Sequence, residues 1–291
     1  MSAPKNLSQL NVCIIGLGLI GGSWVKALRE KGMQGNVTGF DRNLDSMQKA
    51  VELGVIDRYA STAREAVKGA DLVILSVPIL AIKDILLEIK PNLSSDTILT
   101  DVGSVKGNVV EAMREVFGGD KANFILGHPI AGSEKSGIKA SDSSLYENHT
   151  VILTPLENTD TRALATVRSL WEFVGAKVEL MEVMHHDEVL AATSHLPHLL
   201  AYSLVDTLAH NHENKEIFNY AAGGFRDFTR IAASSPKMWH DIFTANKSAV
   251  LDALDLFTDD LSLLRAAIDS SDSNAMMGIF TRAKVARDHF S

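Results

Sequence analysis

One histidine stands in a setting suited to acid–base chemistry. His128 lies in the run G-H-P-I-A-G-S-E-K-S-G at residues 127–137, directly after an apolar run that predicts a strand. Imidazole has an unperturbed pKa near neutrality, so it can accept the proton of a substrate hydroxyl. His128 is therefore a candidate catalytic base, and the alternative is a histidine that only packs before proline.

A second polar run, T-D-V-G-S-V-K at residues 100–106, also follows a predicted strand. Loops that follow parallel strands project from the same edge of a sheet, so Ser104 and His128 are expected at that edge. Ser104 also predicts the N-cap of a helix over residues 105–116, and the two roles are compatible. Lys106 is either a surface lysine or a contact to a cofactor or substrate, and its spacing does not decide between them.

Two arginines lie four residues apart in G-G-F-R-D-F-T-R-I-A at residues 223–232. On a helix Arg226 and Arg230 share one face, with Asp227 between them in sequence, and guanidinium binds carboxylate through paired hydrogen bonds. The run predicts a carboxylate clamp, and a surface ion-pair pattern is the alternative.

His195 and His198 in S-H-L-P-H are also one helical turn apart. A metal pair is disfavoured, because no cysteine and no evident third ligand accompany them. Pro197 removes a helix hydrogen bond, and a kink there would direct both rings into a cleft between domains.

Glycines near the N-terminus form the clearest motif. Gly16, Gly18 and Gly21 have G-x-G-x-x-G spacing, after an apolar strand and before a helix-like segment at residues 24–31. Glycines at these positions permit a tight turn, a close backbone approach to a pyrophosphate, and close packing of helix on strand. The run predicts a dinucleotide site.

An acidic residue ends the second predicted strand, about twenty residues past the last glycine. Asp41 would bind the adenosine ribose hydroxyls and repel a 2'-phosphate, which favours NAD over NADP. Arg42 beside it could instead bind that phosphate or remain a solvated loop residue. Ser76 lies at the end of another predicted strand and is expected at the same ligand-binding edge.

A sheet and helices are needed to position these side chains. Apolar runs predict strands at 12–15, 37–40, 72–77, 98–101, 124–126, 151–153 and 178–180, and periodicity predicts helices at 161–173, 187–208, 238–264 and 273–290. Strands that alternate with helices indicate a parallel sheet with crossover helices. We predict an α/β fold, with an N-terminal Rossmann-like dinucleotide-binding domain at residues 1–181 and a C-terminal all-helical domain at 182–291 packed directly on it.

Composition argues against several classes of protein. The 291-residue chain has 28 Lys and Arg against 36 Asp and Glu, and its net charge of −8 opposes binding to nucleic acid or an anionic membrane. The uncharged stretch at 12–25 is too short to span a bilayer. Cys13 is the only cysteine, which predicts a reducing, cytoplasmic compartment and a buried core residue.

Five motifs occur in one order between residues 16 and 239: G-L-G-L-I-G-G-S, D-V-G-S-V-K, G-H-P-I-A-G-S-E-K-S-G, S-H-L-P-H and G-G-F-R-D-F-T-R-I-A-A-S-S-P-K-M-W. With them the chain closely resembles the prephenate dehydrogenases and the related cyclohexadienyl and arogenate dehydrogenases of tyrosine biosynthesis. The resemblance implies that a cyclohexadienol, prephenate or arogenate, gives a hydride to NAD while its ring carboxylate leaves as carbon dioxide, driven by aromatisation. It also implies a homodimer formed through the helical domain. We expect no room for the mutase or regulatory domain that some members carry.

The family pattern implies roles for individual residues. His128 would accept the hydrogen bond of the ring hydroxyl, and Ser104 would help to orient that histidine, the hydroxyl and the nicotinamide. Arg230 would hold a substrate carboxylate, with His195 or His198 along the side-chain end of the substrate.

Other residues would surround the site. Glu134 and Asp227 resemble acidic residues around the active-site entrance of the family, and Trp239 is expected to come from the partner subunit.

Two alternative functions use different residues. A β-hydroxyacid dehydrogenase or imine reductase on a similar scaffold would use Lys247 in A-N-K-S-A-V as its catalytic lysine. A non-catalytic NAD-sensing protein would need the glycine motif without the histidine and arginine set. His128 and the region of Arg230 argue against both. The sequence leaves open whether prephenate or arogenate is preferred and whether tyrosine inhibits.

Overall fold

The computed structural model describes residues 7–133, 135–210 and 217–289. The strands in these ranges are β1 Val12–Ile15, β2 Val37–Phe40, β3 Arg58–Tyr59, β4 Leu72–Leu75, β5 Ile98–Asp101, β6 Phe124–Ile125, β7 Gly127–Pro129, β8 Thr150–Leu153 and β9 Lys177–Leu180. The helices are α1 Leu19–Glu30, α2 Leu44–Glu52, α3 Ala63–Ala66, α4 Ile82–Ile89, α5 Gly107–Phe117, α6 Thr161–Phe173, α7 Val183–Leu190, α8 Leu196–His210, α9 Gly223–Thr229, α10 Pro236–Ala245, α11 Lys247–Asp269 and α12 Ser273–Asp288.

The main sheet has six parallel strands in the order β3-β2-β1-β4-β5-β6. Every residue of β1 and β4 is buried, as expected of the runs V-C-I-I and L-V-I-L in a sheet covered by helices on both faces. Cys13 lies fully buried among them, which agrees with the expected core position. The predicted Rossmann-like N-terminal fold is confirmed.

A second sheet corrects the prediction of one parallel sheet. Strands β8 and β9, expected in the main sheet, instead form a second sheet in the order β7-β8-β9, in which β8 is parallel to β9 and antiparallel to β7. Sequence patterning missed β7 because its three residues include glycine and proline, which are rare in strands. Only Leu126 separates β6 from β7, so one extended stretch passes from the first sheet to the second.

After β9 the described residues form helices only, which confirms the helical C-terminal part. The helix expected at 187–208 is divided into α7, a π turn at Ala191–His195, and α8. Pro197, which has no N–H to donate, is the second residue of α8 and directly follows the π turn. The helix expected at 238–264 is also divided, because Asn246 leaves helical geometry (φ −107°, ψ 35°) between α10 and α11.

The helical part packs directly on the main sheet. Trp239 and Ile242 of α10 belong to the same buried apolar cluster as Leu75 and Leu99 of the sheet. None of the helices in the described ranges combines the length and the apolar character needed to cross a bilayer.

Candidate active site and cofactor cleft

The glycine motif forms a cradle at the start of α1. Gly16 has a φ of +98°, and a side chain there would collide with the carbonyl of Ser76. Gly18 faces open space at the N-terminal end of α1, so a ligand can approach its backbone. A Cβ at Gly21 would lie 2.6 Å from Ile14 Cδ1, so this glycine serves close packing behind the cradle. The glycines therefore fit a bound pyrophosphate.

Asp41 is held rigidly beside this cradle. Its carboxylate accepts hydrogen bonds from the backbone N–H groups of Leu17 (2.8 Å) and Asn43 (2.8 Å). A cleft of about 470 Å³ brings together five of the six expected cofactor residues, namely Gly16, Gly18, Asp41, Arg42 and Ser76. Two further carboxylate side chains of the cleft, on Asp84 and Glu88, were not expected from the sequence.

His128 lies in the middle of β7, opposite Ile152, and is almost fully buried. Its Nδ1 is 2.9 Å from Nε2 of His186, whose Nδ1 is in turn 2.8 Å from Oδ1 of Asp187. A carboxylate only accepts, so His186 Nδ1 carries a proton and, in a neutral ring, His186 Nε2 accepts. His128 must then donate from Nδ1. Its Nε2 is left as an unprotonated acceptor.

The electrostatic setting keeps the His128 ring neutral. Burial holds its pKa well below the usual value, and positive charge on His186, Lys106 or His195 would lower the pKa further. A neutral imidazole with a free Nε2 can take a proton from a hydroxyl at neutral pH. His128 therefore has both the tautomer and the charge that a base requires.

Asp187 also caps α5, which corrects the expected role of Ser104 as an N-cap. The helix begins at Gly107, and its first donors, the N–H groups of Lys106 and Gly107, each bond the Asp187 carboxylate at 2.8 Å. A carboxylate from a distant helix thus replaces the local cap. Burial favours a higher pKa for Asp187, but its bonds from His186, Lys106 and Gly107 outweigh this and lower the pKa.

Lys106 is neither a surface residue nor a lining residue of the pocket described next. Its side chain is fully buried, pairs with Asp101 and donates to the carbonyl of Gly127 at 2.6 Å. Burial lowers the pKa of this ammonium, and Asp101 acts in the opposite direction. The expected cofactor or substrate contact is thus replaced by a link between the end of β5 and the start of β7, next to His128.

A pocket of about 700 Å³ lies between the two sheets and the helical part. It is lined by six of the expected catalytic and substrate residues: Ser104, His128, His195, His198, Arg230 and Trp239. These come from the loop after β5, strand β7, the π turn and helices α8 and α10, together with the turn after α9. The structure therefore assembles residues that lie up to about 135 positions apart in sequence.

Trp239 lines this chain's own pocket, and its expected supply by the partner subunit stays a prediction. Its ring stacks on His198 with centroids 3.8 Å apart, and the residue is 5% exposed. Nδ1 of His198 donates to the carbonyl of Ser194 at 2.8 Å, which leaves Nε2 for other partners. Burial lowers the pKa of His198, the Ser194 bond opposes that effect, and the charge of Arg230 lowers the pKa further.

The two-arginine clamp is reduced to one arginine. Helix α9 ends at Thr229, and Arg230 starts a 3₁₀ turn, so the α-helical spacing is not kept through Arg230. Arg230 lines the pocket, whereas Arg226 and Asp227 do not, although all three residues are exposed. Glu134 lies outside the described residues. Lys247, the lysine of the alternative enzyme class, is exposed and does not line the pocket.

Sequence reasoning missed three polar residues behind the pocket. His186 and Asp187 in M-H-H-D begin a helix just after the last strand, and Asn246 divides two helices. A His-Asp pair in a first turn was the only local signal, because their partners are about 60 to 80 residues away in sequence. In the described part of the chain, no group of three or more His, Cys, Asp and Glu could hold a metal ion.

Comparison with known families gives two matches. The family described as prephenate dehydrogenase, nucleotide-binding domain, matches residues 24–180. The family described as prephenate dehydrogenase, dimerization domain, matches residues 182–282.

Individual proteins are similar over nearly the whole chain. Cyclohexadienyl dehydrogenase of Zymomonas mobilis is 39% identical over 282 residues, which cover 95% of this chain and 94% of that protein. Prephenate dehydrogenase of Bacillus subtilis is 37% identical, over 97% of this chain and 76% of its own length. The crystal structure of prephenate dehydrogenase from Aquifex aeolicus, in complex with hydroxyphenyl propionate and NAD+, has a TM-score of 0.91 and 41% identity, covering 99% of this chain and 100% of that one.

Proposed function

This chain belongs to the prephenate dehydrogenase family, and we propose that the pocket at His128 is where its cyclohexadienol substrate is oxidised. The chain is an oxidoreductase that carries out NAD-dependent oxidative decarboxylation in tyrosine biosynthesis. The observation that carries the proposal is the 2.9 Å contact between His128 Nδ1 and His186 Nε2. It makes His128 Nε2 the acceptor that the ring hydroxyl needs.

His128 takes and returns one proton. As hydride leaves the hydroxyl-bearing carbon, Nε2 accepts the hydroxyl proton and the C–O bond becomes a carbonyl. When the ring carboxylate departs as carbon dioxide, its bonding electrons move through the ring to that oxygen, which becomes a phenolate and takes the proton back. No net proton is released, so a buried base without solvent access suffices.

Substrate carboxylate binding falls to Arg230 in this proposal. Arg230 carries a positive charge at the pocket. Because the whole chain has a net charge of −8, a dianionic substrate must be attracted by local positive groups such as this one. Half-buried Ser104 lines the same pocket as His128 and is proposed to orient the hydroxyl. That Glu134 and Asp227 surround the entrance stays a prediction.

NAD supplies the hydride acceptor when it is bound. The Gly16 and Gly18 backbone would hold its pyrophosphate, and Asp41 its adenosine ribose. Asp84 and Glu88 add negative charge to the same cleft, which also disfavours a 2'-phosphate.

Asp41→Ala is expected to weaken the binding of NAD much more than the binding of NADP, and Arg42→Ala provides the matched comparison. Equal losses of the two cofactors in Asp41→Ala would show that Asp41 is not the selector.

The wider organisation is proposed on the same basis. The chain is divided at 181/182, and the helical part is assigned to substrate binding and to a homodimer. The family matches support this division, because the match to a nucleotide-binding domain ends at residue 180 and the match to a dimerization domain starts at residue 182. A cytoplasmic location is supported by Cys13, a buried and unpaired thiol.

Tyrosine carries a carboxylate that Arg230 could bind. Inhibition by tyrosine can be tested by adding tyrosine to the assay described next.

Steady-state kinetics on prephenate and arogenate, with NAD and NADP in turn, tests the proposal. We expect NADH, carbon dioxide and 4-hydroxyphenylpyruvate from prephenate and NAD. Turnover of a β-hydroxyacid without turnover of prephenate would reverse the assignment.

A further inference from the structure

Asn246, in the break between α10 and α11, touches two groups of the active-site region. Its Nδ2 donates to the backbone carbonyl of Asp187 at 2.8 Å and lies 3.2 Å from Nδ1 of His195. A carbonyl only accepts, which identifies this end of the Asn246 side chain as the NH2 group. The second hydrogen of that group then points to His195. Nδ1 of His195 is therefore an acceptor and carries no proton.

His195 must then hold its single ring proton on Nε2. The residue is 1% exposed and forms part of the pocket wall. Burial lowers its pKa to about 4, the Asp187 charge opposes this, and the neighbouring His186 and His198 lower it further. The ring is neutral at neutral pH, with Nδ1 occupied by Asn246 and Nε2–H available as a donor.

We propose that Asn246 is a positioning residue that holds His195 as a neutral hydrogen-bond donor to a carboxylate or keto oxygen of the substrate. The inference rests on the proposed function of this pocket. His128 and His195 then have opposite hydrogen-bonding polarity: one accepts from the hydroxyl, and the other donates to an oxygen that has no proton. Such a pair favours one orientation of the substrate, and it does so without a second positive charge.

The position of the ring proton can be measured without any enzyme activity. In protein labelled with ¹⁵N-histidine, the His195 signals are those missing from His195→Gln. We expect Nε2 to be protonated and Nδ1 to be bare in the wild-type chain. In Asn246→Asp the new carboxylate only accepts, so the proton should move to Nδ1. A wild-type His195 protonated on Nδ1 would overturn the proposal, even if no Asn246 variant folds.

Substrate binding provides the second readout. Asn246→Asp and Asn246→Ala should raise KM for prephenate, and Kd for hydroxyphenyl propionate, about tenfold, which is the effect of one neutral hydrogen bond. In Asn246→Ala, which adds no charge, Kd for NAD and the acidic limb of the pH profile should stay as in the wild type. In His195→Gln the side-chain amide reaches roughly the position of His195 Nε2, and its orientation does not depend on Asn246. The double variant His195→Gln/Asn246→Ala should therefore have nearly the same KM as His195→Gln alone.

Ser141→Ala is the matched control, because it removes one buried hydrogen bond, to the carbonyl of Ile138, outside the pocket. It should leave KM unchanged. An Asn246→Asp chain with the moved proton and an unchanged Kd for hydroxyphenyl propionate would refute the donor role. A chain with the expected proton position and ligand binding, but without prephenate turnover, would instead refute the proposed function.

Discussion

The chemistry of His128 depends on two residues behind it. His186 and Asp187 fix the proton on Nδ1, and burial holds the pKa of the ring well below its usual range. In the free enzyme, activity should fall as pH falls through that lowered pKa, because an imidazolium cannot accept the hydroxyl proton. The acidic limb of kcat/KM is therefore expected well below about pH 6.5.

His128→Asn should lower kcat by about 10²- to 10⁴-fold while NAD still binds, because the lost hydrogen bond strengthens in the transition state. The acidic limb should disappear with it. His185→Asn is the matched control, since His185 is exposed in the same helix that carries His186. If His128→Asn keeps near-normal turnover and an unchanged pH profile, the histidine is structural.

Arg230→Ala should raise KM for prephenate about 10- to 100-fold, the size of a hydrogen bond to a charged group, with NAD affinity nearly unchanged. Arg226→Ala removes the same charge from α9 at a position outside the pocket and should leave KM as it is. Initial rates over a range of prephenate concentrations measure both. A normal KM in Arg230→Ala would exclude the carboxylate contact.

The cofactor-binding residues were predictable from the sequence, because they stand at fixed distances from strands. Gly16 and Asp41 follow strands at known offsets, and the expected cofactor edge of the sheet contains both. Lys106 was interpreted wrongly because lysines are rarely buried, and nothing local shows that Asp101 neutralises it. Asn246 gave no signal, because its role comes from contacts about 50 to 60 residues away in sequence.

At the scale of elements, helix α5 depends on a side chain from α7. Asp187→Ala removes the acceptor for Lys106 N–H and Gly107 N–H and should lower the free energy of unfolding by about 1–3 kcal/mol at pH 7. The folded-state pKa of Asp187 is depressed, so its contribution is present above about pH 4 and is lost as pH falls through the folded-state pKa. The difference from wild type should therefore shrink in acid.

Asp160→Ala separates stability from chemistry. Asp160 caps α6 locally through Arg162 N–H and Ala163 N–H, and its loss should cost about 0.5–2 kcal/mol without changing kcat. Asp187→Ala should lower kcat as well, because His186 loses its partner. Denaturant unfolding combined with kinetics makes the comparison, and equal kcat in the two variants would mean that Asp187 serves only the helix.

The long, strongly patterned elements were predictable, and the irregular ones were not. Strand β1 and helix α6 match their predicted bounds because apolar periodicity and an aspartate cap define them locally. The Gly127–Pro129 strand β7 is defined by pairing with β8, which depends on tertiary structure. The π turn at Ala191–His195 was not expected either, because the apolar periodicity at 187–208 predicts one continuous helix.

For the whole molecule, α11 carries exposed apolar side chains that suit a subunit interface. Leu256 and Leu263 are 70% and 66% exposed and lie seven residues apart, hence on one face. The double variant Leu256→Glu/Leu263→Glu should be monomeric by sedimentation velocity, while wild type and Leu44→Glu, changed at another exposed leucine on α2, should be dimeric. A variant that dimerises as tightly as wild type would place the interface elsewhere.

The capping of α5 by Asp187 also limits motion. Domains joined by a small polar interface usually swing about a hinge, but here Asp187 binds Lys106 N–H and Gly107 N–H across the junction, and Trp239 is inserted in the apolar cluster of the sheet. Separation of α7 from α5 would break both of these hydrogen bonds and uncover the apolar contacts of Trp239, so the contact opposes such a movement. We therefore expect no large opening of the helical part during turnover, and the radius of gyration from small-angle scattering should be the same with and without NAD. On this expectation the pocket and the cofactor cleft are preformed, and a domain movement would not limit the rate of catalysis.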